Sequence, residues 1–387
     1  MLKDKSRSWV EVDLDIVRAN TRLIQEHIGS QTKIMGVVKA NAYGHGDVKI
    51  AQTLQAMGID FFAVSSIDEA IILRQSGIDK SILILGYTPV KHFHYLVEYQ
   101  VTQCVMSLSY ASKLDQYGQK HDVVLMGHLK LDTGMSRLGI QVKPENYCIE
   151  DVKACYQFKY LKITGIFSHF SVSDSFVKKV DRDYTDMQIS CFERVLADLK
   201  QSGINPGLTH FQNSYGCLNY NELRYDYARP GIILLGNTSN DEDILKEDIG
   251  LKPSLSWYAN VSLVKTIKKG CDVSYGRHFH APCDMQVATV SCGYADGMNR
   301  NASNHGAQVL INGTRCPILG NICMDQFVVD VSNAGEVAEG DVVTLVGESQ
   351  GQIIRMDELS RAANTINNES FCLISGRVPR FYTEGGK

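Results

Sequence analysis

The chain contains no apolar run near membrane-spanning length. Its longest, such as Ile232-Ile233-Leu234-Leu235, fall far short of the roughly 20 residues a helix needs to cross a bilayer. It has no basic stripe with interleaved aromatics, and 39 Lys and Arg against 43 Asp and Glu leave a net charge of only −4. Nothing in that balance points to nucleic acid as a partner. The charged start, Met1-Leu2-Lys3-Asp4-Lys5, leads into no apolar segment of the signal-peptide kind. The 11 cysteines include no Cys-x-x-Cys pair, and no His-Glu-x-x-His occurs. An odd number of scattered thiols reads as reduced core cysteines in a cytoplasmic protein, not as zinc ligands or a disulfide framework. Two His-Phe-His triplets, His92 to His94 and His278 to His280, lack companion ligands and read as surface or turn residues, so no metal site is expected. Internal repeats and low-complexity tracts are absent.

What is present is ordinary globular composition, 44% hydrophobic and 21% charged, over 387 residues. That length accommodates two domains, one of them a barrel of about 250 residues. Up to about residue 240, short apolar runs alternate with stretches of helical period. The expected strands are 34–39, 61–65, 81–86, 102–106, 123–131, 162–169, 208–213 and 225–229. The clearest helix carries Tyr184, Met187, Cys191, Phe192, Val195, Leu196 and Leu199 on one face. Eight strands in this rhythm predict an α/β fold, a parallel (β/α)8 TIM-like barrel. The rhythm changes at a charged linker, Asp241-Glu242-Asp243 and Lys246-Glu247-Asp248. Beyond it, runs rich in Val and Thr at 256–266, 285–292, 307–312, 326–331 and 341–346, with one helix from Ile353 to Asn364, predict a mainly-β C-terminal domain. The alternating Trp9-Val10-Glu11-Val12-Asp13 reads as an early strand of that same domain. The expected division is therefore 1–13 with the β domain, 14–240 as the barrel and 241–387 as the β domain.

The most informative segment is Val37-Val38-Lys39-Ala40-Asn41-Ala42-Tyr43-Gly44-His45-Gly46. An apolar strand delivers one lysine to its carboxyl end, and a glycine-bracketed turn and a helix follow at once. Burial disfavours the charged ammonium, which lowers the pKa and makes the amine a nucleophile suited to Schiff-base chemistry with an aldehyde cofactor. An isolated Val-Val-Lys is more often a lysine that simply reaches solvent; the Ala-Asn-Ala-Tyr-Gly-His-Gly context favours the functional reading. Barrels place their active sites at the carboxyl ends of strands. Besides Lys39, those ends carry Lys130 to Arg137, Phe167-Ser168-His169, Asn213-Ser214, and Arg229 followed by Gly231 and Ile232. Five such placements from separated parts of the chain are hard to explain by packing alone.

These five segments, with Cys292-Gly293-Tyr294-Ala295-Asp296-Gly297 and Gly320-Asn321-Ile322-Cys323-Met324-Asp325-Gln326, resemble the bacterial alanine racemase family. The resemblance runs from residue 9 to about residue 380. It implies a barrel that binds pyridoxal 5'-phosphate (PLP), a β domain, and a head-to-tail homodimer whose active sites are shared between subunits. The implied activity is interconversion of L- and D-alanine, supplying D-amino acid for peptidoglycan. Lys39 is implied to hold PLP as a Schiff base and to move a proton on one face of the substrate α-carbon. Tyr294, from the other subunit, is implied to serve the opposite face. Two groups are needed because a single base tends to return the proton to the side it left. A phenol with a reference pKa of about 10 is a poor base at neutral pH, and His169, in a chain with Arg229, is implied to provide the environment that corrects this. Arg229 is implied to face the pyridine nitrogen of PLP. A permanently protonated donor there leaves that nitrogen without its own proton and weakens the electron sink, restraining side reactions. Tyr43, the Ser214 hydroxyl and backbone N–H groups at Gly231 and Ile232 are implied to hold the phosphate. The Met324 N–H and Arg137 are implied to meet the substrate carboxylate. Lys130 is implied to be carbamylated, which relieves repulsion with Arg137 and orients it.

Two positions depart from the family pattern. Gly376 precedes Arg377-Val378-Pro379-Arg380 where many members have tyrosine, and Tyr215 follows Asn213-Ser214 where small residues are usual. Both changes fall at the pocket and leave a serine or dual alanine/serine racemase open as the alternative. A non-catalytic PLP-carrier barrel would lack the C-terminal domain and a Tyr294 equivalent. A barrel-type decarboxylase would carry other phosphate loops and an aspartate-rich setting around its catalytic cysteine, which Cys372 lacks.

Overall fold

Short runs of Val, Ile, Phe and Met, buried on both faces, form the strands Lys33–Val37, Phe61–Val64, Ser81–Ile84 and Thr102–Val105. Continuous apolarity of this kind suits a parallel sheet covered by helices. Leu125–Asp132, Leu161–Phe167, Leu208–His210 and Tyr227–Ala228 complete the set. In this computed structural model, which describes residue 5, residues 7–240 and residues 242–385, the eight pair in parallel around a ring. Thr102–Val105 closes it on Leu125–Asp132, with Cys104 opposite His128. The opening Met1 to Asp4 and Asp241 of the expected linker lie outside the described residues.

The helix Lys179–Gln201 buries Cys191, Phe192, Val195 and Leu199, the face that its periodicity predicts. Tyr184, read as part of that face, instead stays partly exposed and donates from its hydroxyl to the Gly134 carbonyl at 2.7 Å.

The second sheet has nine strands, and the long strand Leu255–Ile267 is its spine. It pairs antiparallel with Met285–Val290, Val342–Ser349 and Ser8–Asp13. Ser8–Asp13 in turn runs parallel to Arg380–Thr383, with Val10 opposite Arg380. The first and last described strands thus lie side by side. The fully buried Asp296 carboxylate fastens this region. It accepts two bonds from Arg7, at 2.6 and 2.7 Å, and one from the Gly293 N–H at 2.9 Å.

Three local features differ from the sequence expectation. The single helix over 353–364 is instead the strand Gln352–Ile354 and two helices, Met356–Ala362 and Asn367–Leu373. A turn at Gln350 (φ 48°) and Gly351 (φ 80°) folds Ile353 and Ile354 back onto Val342–Ser349, and Asn364 (φ 55°) ends the first helix. The strands Thr314–Leu319 and Arg380–Thr383 carry Arg, Cys, Pro and Tyr, and were not foreseen. The barrel strands also stop early: Lys39, Asn213 and Arg229 lie beyond Val37, His210 and Ala228, with Lys39 opening the short helical turn Lys39–Tyr43 and Asn213 capping the helix Ser214–Asn219. Among the described residues no helix is long and apolar enough to cross a membrane.

Candidate active site

Immediately after Lys39 the backbone turns left-handed for four residues: Ala40 (φ 53°), Asn41 (φ 56°), Ala42 (φ 48°) and Tyr43 (φ 49°). For L-residues this conformation is disfavoured by about 1–2 kcal/mol each, and only asparagine adopts it with any ease. Such a run persists only where its surroundings over-determine it. Glu69 accepts the Ala40 N–H at 2.8 Å, and the His45 ring bonds the Tyr43 carbonyl through Nδ1 at 2.8 Å. From the β domain of the same chain, Arg380 donates from Nε to the Gly44 carbonyl at 3.0 Å while its other nitrogens hold the Ser375, Val378 and Ile374 carbonyls. Gly44 (φ 78°) must be glycine twice over, since a Cβ there would overlap the Phe371 carbonyl.

The turn forms one wall of a cavity of about 690 Å³ at the carboxyl ends of the barrel strands. That size suits a small-molecule ligand. Lys39, Tyr43, Lys130, Arg137, His169, Ser214, Arg229 and Ile232 all line it, as the sequence reading expected of the barrel. At one end the Ser214 hydroxyl accepts the Gly231 N–H at 3.0 Å, and Gly231 lies so close to the Tyr43 hydroxyl that a Cβ would overlap it. Tyr215 also lines the cavity, but its own hydroxyl is committed to Asp243 and to the Ser239 N–H.

Arg229 forms the floor and is buried. Its Nη2 donates to the Ser168 and Phe211 carbonyls at 2.7 and 2.9 Å and reaches His169 Nδ1 at 3.4 Å. Its Nη1 meets His210 Nδ1 at 2.8 Å, and His210 Nε2 meets His128 Nδ1 at 2.8 Å. Because arginine only donates, His210 accepts at Nδ1 and carries its proton on Nε2, where it donates to His128. Burial and the nearby cations lower the pKa of His169 and His210 well below the usual range, and burial lowers that of His128 to about 3. All three rings are therefore neutral near pH 7. Arg229 is itself lowered by burial to about 9 and stays protonated. Sequence reading missed His128 and His210, since a lone histidine in a strand is usually core; only ring closure brings them under Arg229.

Lys39 and Lys130 are two amines in this cationic setting. Burial lowers the Lys39 pKa, Arg137 and Arg229 push the same way, and Glu69 opposes them. Lys130 is only 6% exposed, with Nζ 4.5 Å from the centre of the Phe167 ring, and burial plus Arg229 and Arg137 lower its pKa well below the ordinary value. The chain's own β domain adds Ile366, Asn368, Glu369 and Cys372 to the cavity wall, which sequence reading did not anticipate.

Tyr294 and Met324 do not line this cavity. They sit together on the β domain, where the Tyr294 N–H donates to the Cys323 carbonyl at 3.0 Å and the Ala295 N–H to the Met324 carbonyl at 3.0 Å. The same 321–324 segment anchors another tyrosine: Asn321 donates from its side chain to the Tyr275 carbonyl at 2.7 Å, and Ser274 donates from its hydroxyl to the Asn321 carbonyl at 2.5 Å. Tyr275 is flanked by Ser274 (φ 65°), Gly276 (φ 77°) and Arg277 (φ 53°). Tyr275, Met324 and Tyr294 are 71%, 53% and 41% exposed, large apolar side chains that the described residues leave partly uncovered. Tyr275 was overlooked because Val-Ser-Tyr-Gly reads as a plain turn; its positive-φ neighbours are visible only in three dimensions. His280 pairs with Asp272 in the hairpin beside it, and among the described residues no group of three or more His, Cys, Asp or Glu could hold a metal.

The lowered pKa of Lys39 has a direct consequence. In the cofactor-free chain its amine is neutral at lower pH than surface lysines, so limited acetylation near pH 8 is expected to label Lys39 ahead of exposed lysines such as Lys179. Peptide mass mapping over a pH series checks this, and equal labelling of the two would contradict it.

Comparison with known proteins agrees with the geometry. Residues 12–239 match the alanine racemase N-terminal domain and residues 254–382 the alanine racemase C-terminal domain. The chain is 38% identical to alanine racemase 1 of Clostridium acetobutylicum, covering 98% of this chain and 96% of that protein. It is 37% identical to alanine racemase of Methanococcus maripaludis, covering 97% and 98%. Among solved structures, alanine racemase of Clostridium difficile superposes with a TM-score of 0.90 at 32% identity, covering 100% of this chain and 98% of that one. The alanine racemase of Bacillus anthracis with bound L-Ala-P does so with a TM-score of 0.90 at 32% identity, covering 100% and 97%. A two-domain match over the whole length, joined to a half-buried lysine just past a strand end and a buried arginine, places the chain in the alanine racemase family.

Proposed function

We propose that this chain is a PLP-dependent racemase interconverting L- and D-alanine, with residues 14–240 serving as the cofactor barrel and residues 1–13 and 241–387 as the β domain. The observation that carries the reading is the convergence of a low-pKa lysine, a buried arginine floor and a hydroxyl-lined end on one cavity. PLP fits these residues: an amine for its aldehyde at Lys39, a cationic donor for its ring nitrogen at Arg229, and Tyr43, Ser214 and the Gly231–Ile232 backbone for its phosphate. When bound, the cofactor supplies an electron sink for the substrate α-carbon. The rest of the chemistry belongs to the chain. Lys39 takes or returns the α-proton on one face. Arg229, held by two neutral histidines and backbone carbonyls, has no acid beside it able to protonate a ring nitrogen. Arg137, at the cavity mouth, meets the substrate carboxylate, together with the Met324 N–H of a second subunit.

The second base comes from the partner in a homodimer, whose exposed Tyr275, Tyr294 and Met324 face supplies the missing wall. Tyr294 was the sequence choice, but backbone strain favours Tyr275: strained residues cluster at reacting groups, and Tyr294 sits on a turn whose bonds serve Met324. Tyr275→Phe is expected to reduce kcat by about a thousandfold or more, the scale of a lost acid–base group, and Tyr294→Phe by far less. Solvent deuterium exchange into each enantiomer of alanine reads which face has lost its base, and the opposite ranking would restore Tyr294. Mixing inactive Lys39→Ala and Tyr275→Phe chains is expected to regain activity, which a site confined to one subunit cannot do.

Lys130 is proposed to carry a carbamate, because a neutral buried amine between Arg229 and Arg137 gains two cationic neighbours by becoming an anion. Carbon-13 bicarbonate is expected to yield a carbamate NMR signal that Lys130→Ala abolishes; its absence from the unmodified chain would refute the assignment.

One observation favours a serine or dual alanine/serine racemase as the second reading. Tyr215 lines the cavity where the family usually has a small residue, whereas Gly376 is exposed and lies outside the cavity wall. Expected is a kcat/KM for L-alanine above that for L-serine; a tenfold preference for serine, about 1.4 kcal/mol, would reverse the assignment. Supply of D-alanine to peptidoglycan in the cytoplasm follows from the leading reading. The 11 cysteines are all free, which fits a reducing compartment.

A further inference from the structure

Glu69 lies in the first turn of the helix Ile67–Gln75, which Ser66 caps, and its carboxylate turns away from that helix. One oxygen accepts the Ala40 N–H at 2.8 Å and the other accepts the Ser65 N–H at 2.6 Å. Those two N–H groups follow adjacent barrel strands, which pair through Val37 and Ala63. A single side chain therefore clamps the exits of two strands. The Ala40 N–H belongs to the peptide that leaves Lys39, and Ala40 opens the left-handed run. Fixing that peptide plane fixes the direction in which the Lys39 side chain departs. The clamp is charge-assisted, and bonds of this kind are about twice as strong as neutral ones. Glu69 is also the carboxylate whose charge acts on the Lys39 amine, against the pull of Arg137 and Arg229.

We propose that Glu69 is the positioning residue for Lys39: by holding the Lys39–Ala40 peptide it sets the direction of the amine and hence how firmly the chain retains its cofactor. The inference rests on Lys39 being the cofactor lysine. Glu69 touches neither the cavity nor a reacting atom, and it acts only through the lysine's backbone and charge.

The test compares Glu69→Gln and Glu69→Ala with the unaltered full-length chain. Gln keeps the volume and one acceptor but turns an NH₂ toward the other N–H; it carries the test if Ala fails to fold. Three quantities are read: release of pyridoxal phosphate on dialysis, the pH at half-maximal rate of its addition to the cofactor-free chain, and the melting temperature. Addition is located on Lys39 by borohydride trapping and peptide mass. Glu69→Gln is expected to release cofactor about tenfold faster, a scale typical of losing an orienting hydrogen bond. Its addition midpoint is expected to move to lower pH, because a neighbouring anion that favoured the ammonium is gone. A lower melting temperature with release and midpoint within twofold of the unaltered chain would make Glu69 merely structural and overturn the proposal, as would no change at all. If the unaltered chain traps no cofactor on Lys39, the functional reading itself fails, and this inference with it.

Discussion

Everything at the centre of this molecule depends on keeping four consecutive L-residues left-handed directly after Lys39. The conformation is unfavourable in isolation, and no local signal in Ala-Asn-Ala-Tyr supports it beyond the asparagine. It is held from both sides. The barrel contributes Glu69, the turn its own His45, and the β domain Arg380 and the Phe371 backbone. The β domain is thus part of the site within its own chain. Within its own chain it builds the turn that carries the lysine, and it lends Asn368, Glu369 and Cys372 to the cavity wall. A barrel stripped of this domain would lose part of the support for the turn after Lys39.

The electrostatics follow from the same arrangement. Lys39, Lys130, Arg137 and Arg229 meet around one cavity with few compensating carboxylates. Burial and the neighbouring arginines lower the pKa of both amines, and acceptors that carry no charge surround Arg229. Two neutral histidines, His169 and His210, and two backbone carbonyls satisfy Arg229 without offering an acid. A carboxylate in their place would have formed a stronger pair but would have cancelled the positive field that the cavity presents to an anionic ligand.

Much of this was legible in the chain. Barrel strands such as Phe61–Val64 and Ser81–Ile84 announce themselves because burial on both faces requires unbroken apolar runs. Lys39, His169, Ser214 and Arg229 stood out because strand ends in a barrel converge whatever the loops do. The edges of the β domain were less readable. Thr314–Leu319 and Arg380–Thr383 interrupt their apolar residues with Arg, Pro and Thr, and Ile353 looks helical until a two-residue turn folds it onto a neighbour.

Sequence by itself determined the class of fold, the family, and the set of side chains available for chemistry, because these depend on local pattern and on which residue types occur at strand ends. Tertiary structure alone decided what surrounds them. That His128 and His210 lie beneath Arg229 follows from ring closure across more than eighty residues of chain. That Glu69 grips the peptide after Lys39 follows from the register of two parallel strands. That Tyr275 rides a strained turn beside Met324 follows from its bonds to Asn321. Each is a contact between segments remote in sequence, and no periodicity or propensity encodes the distance between them.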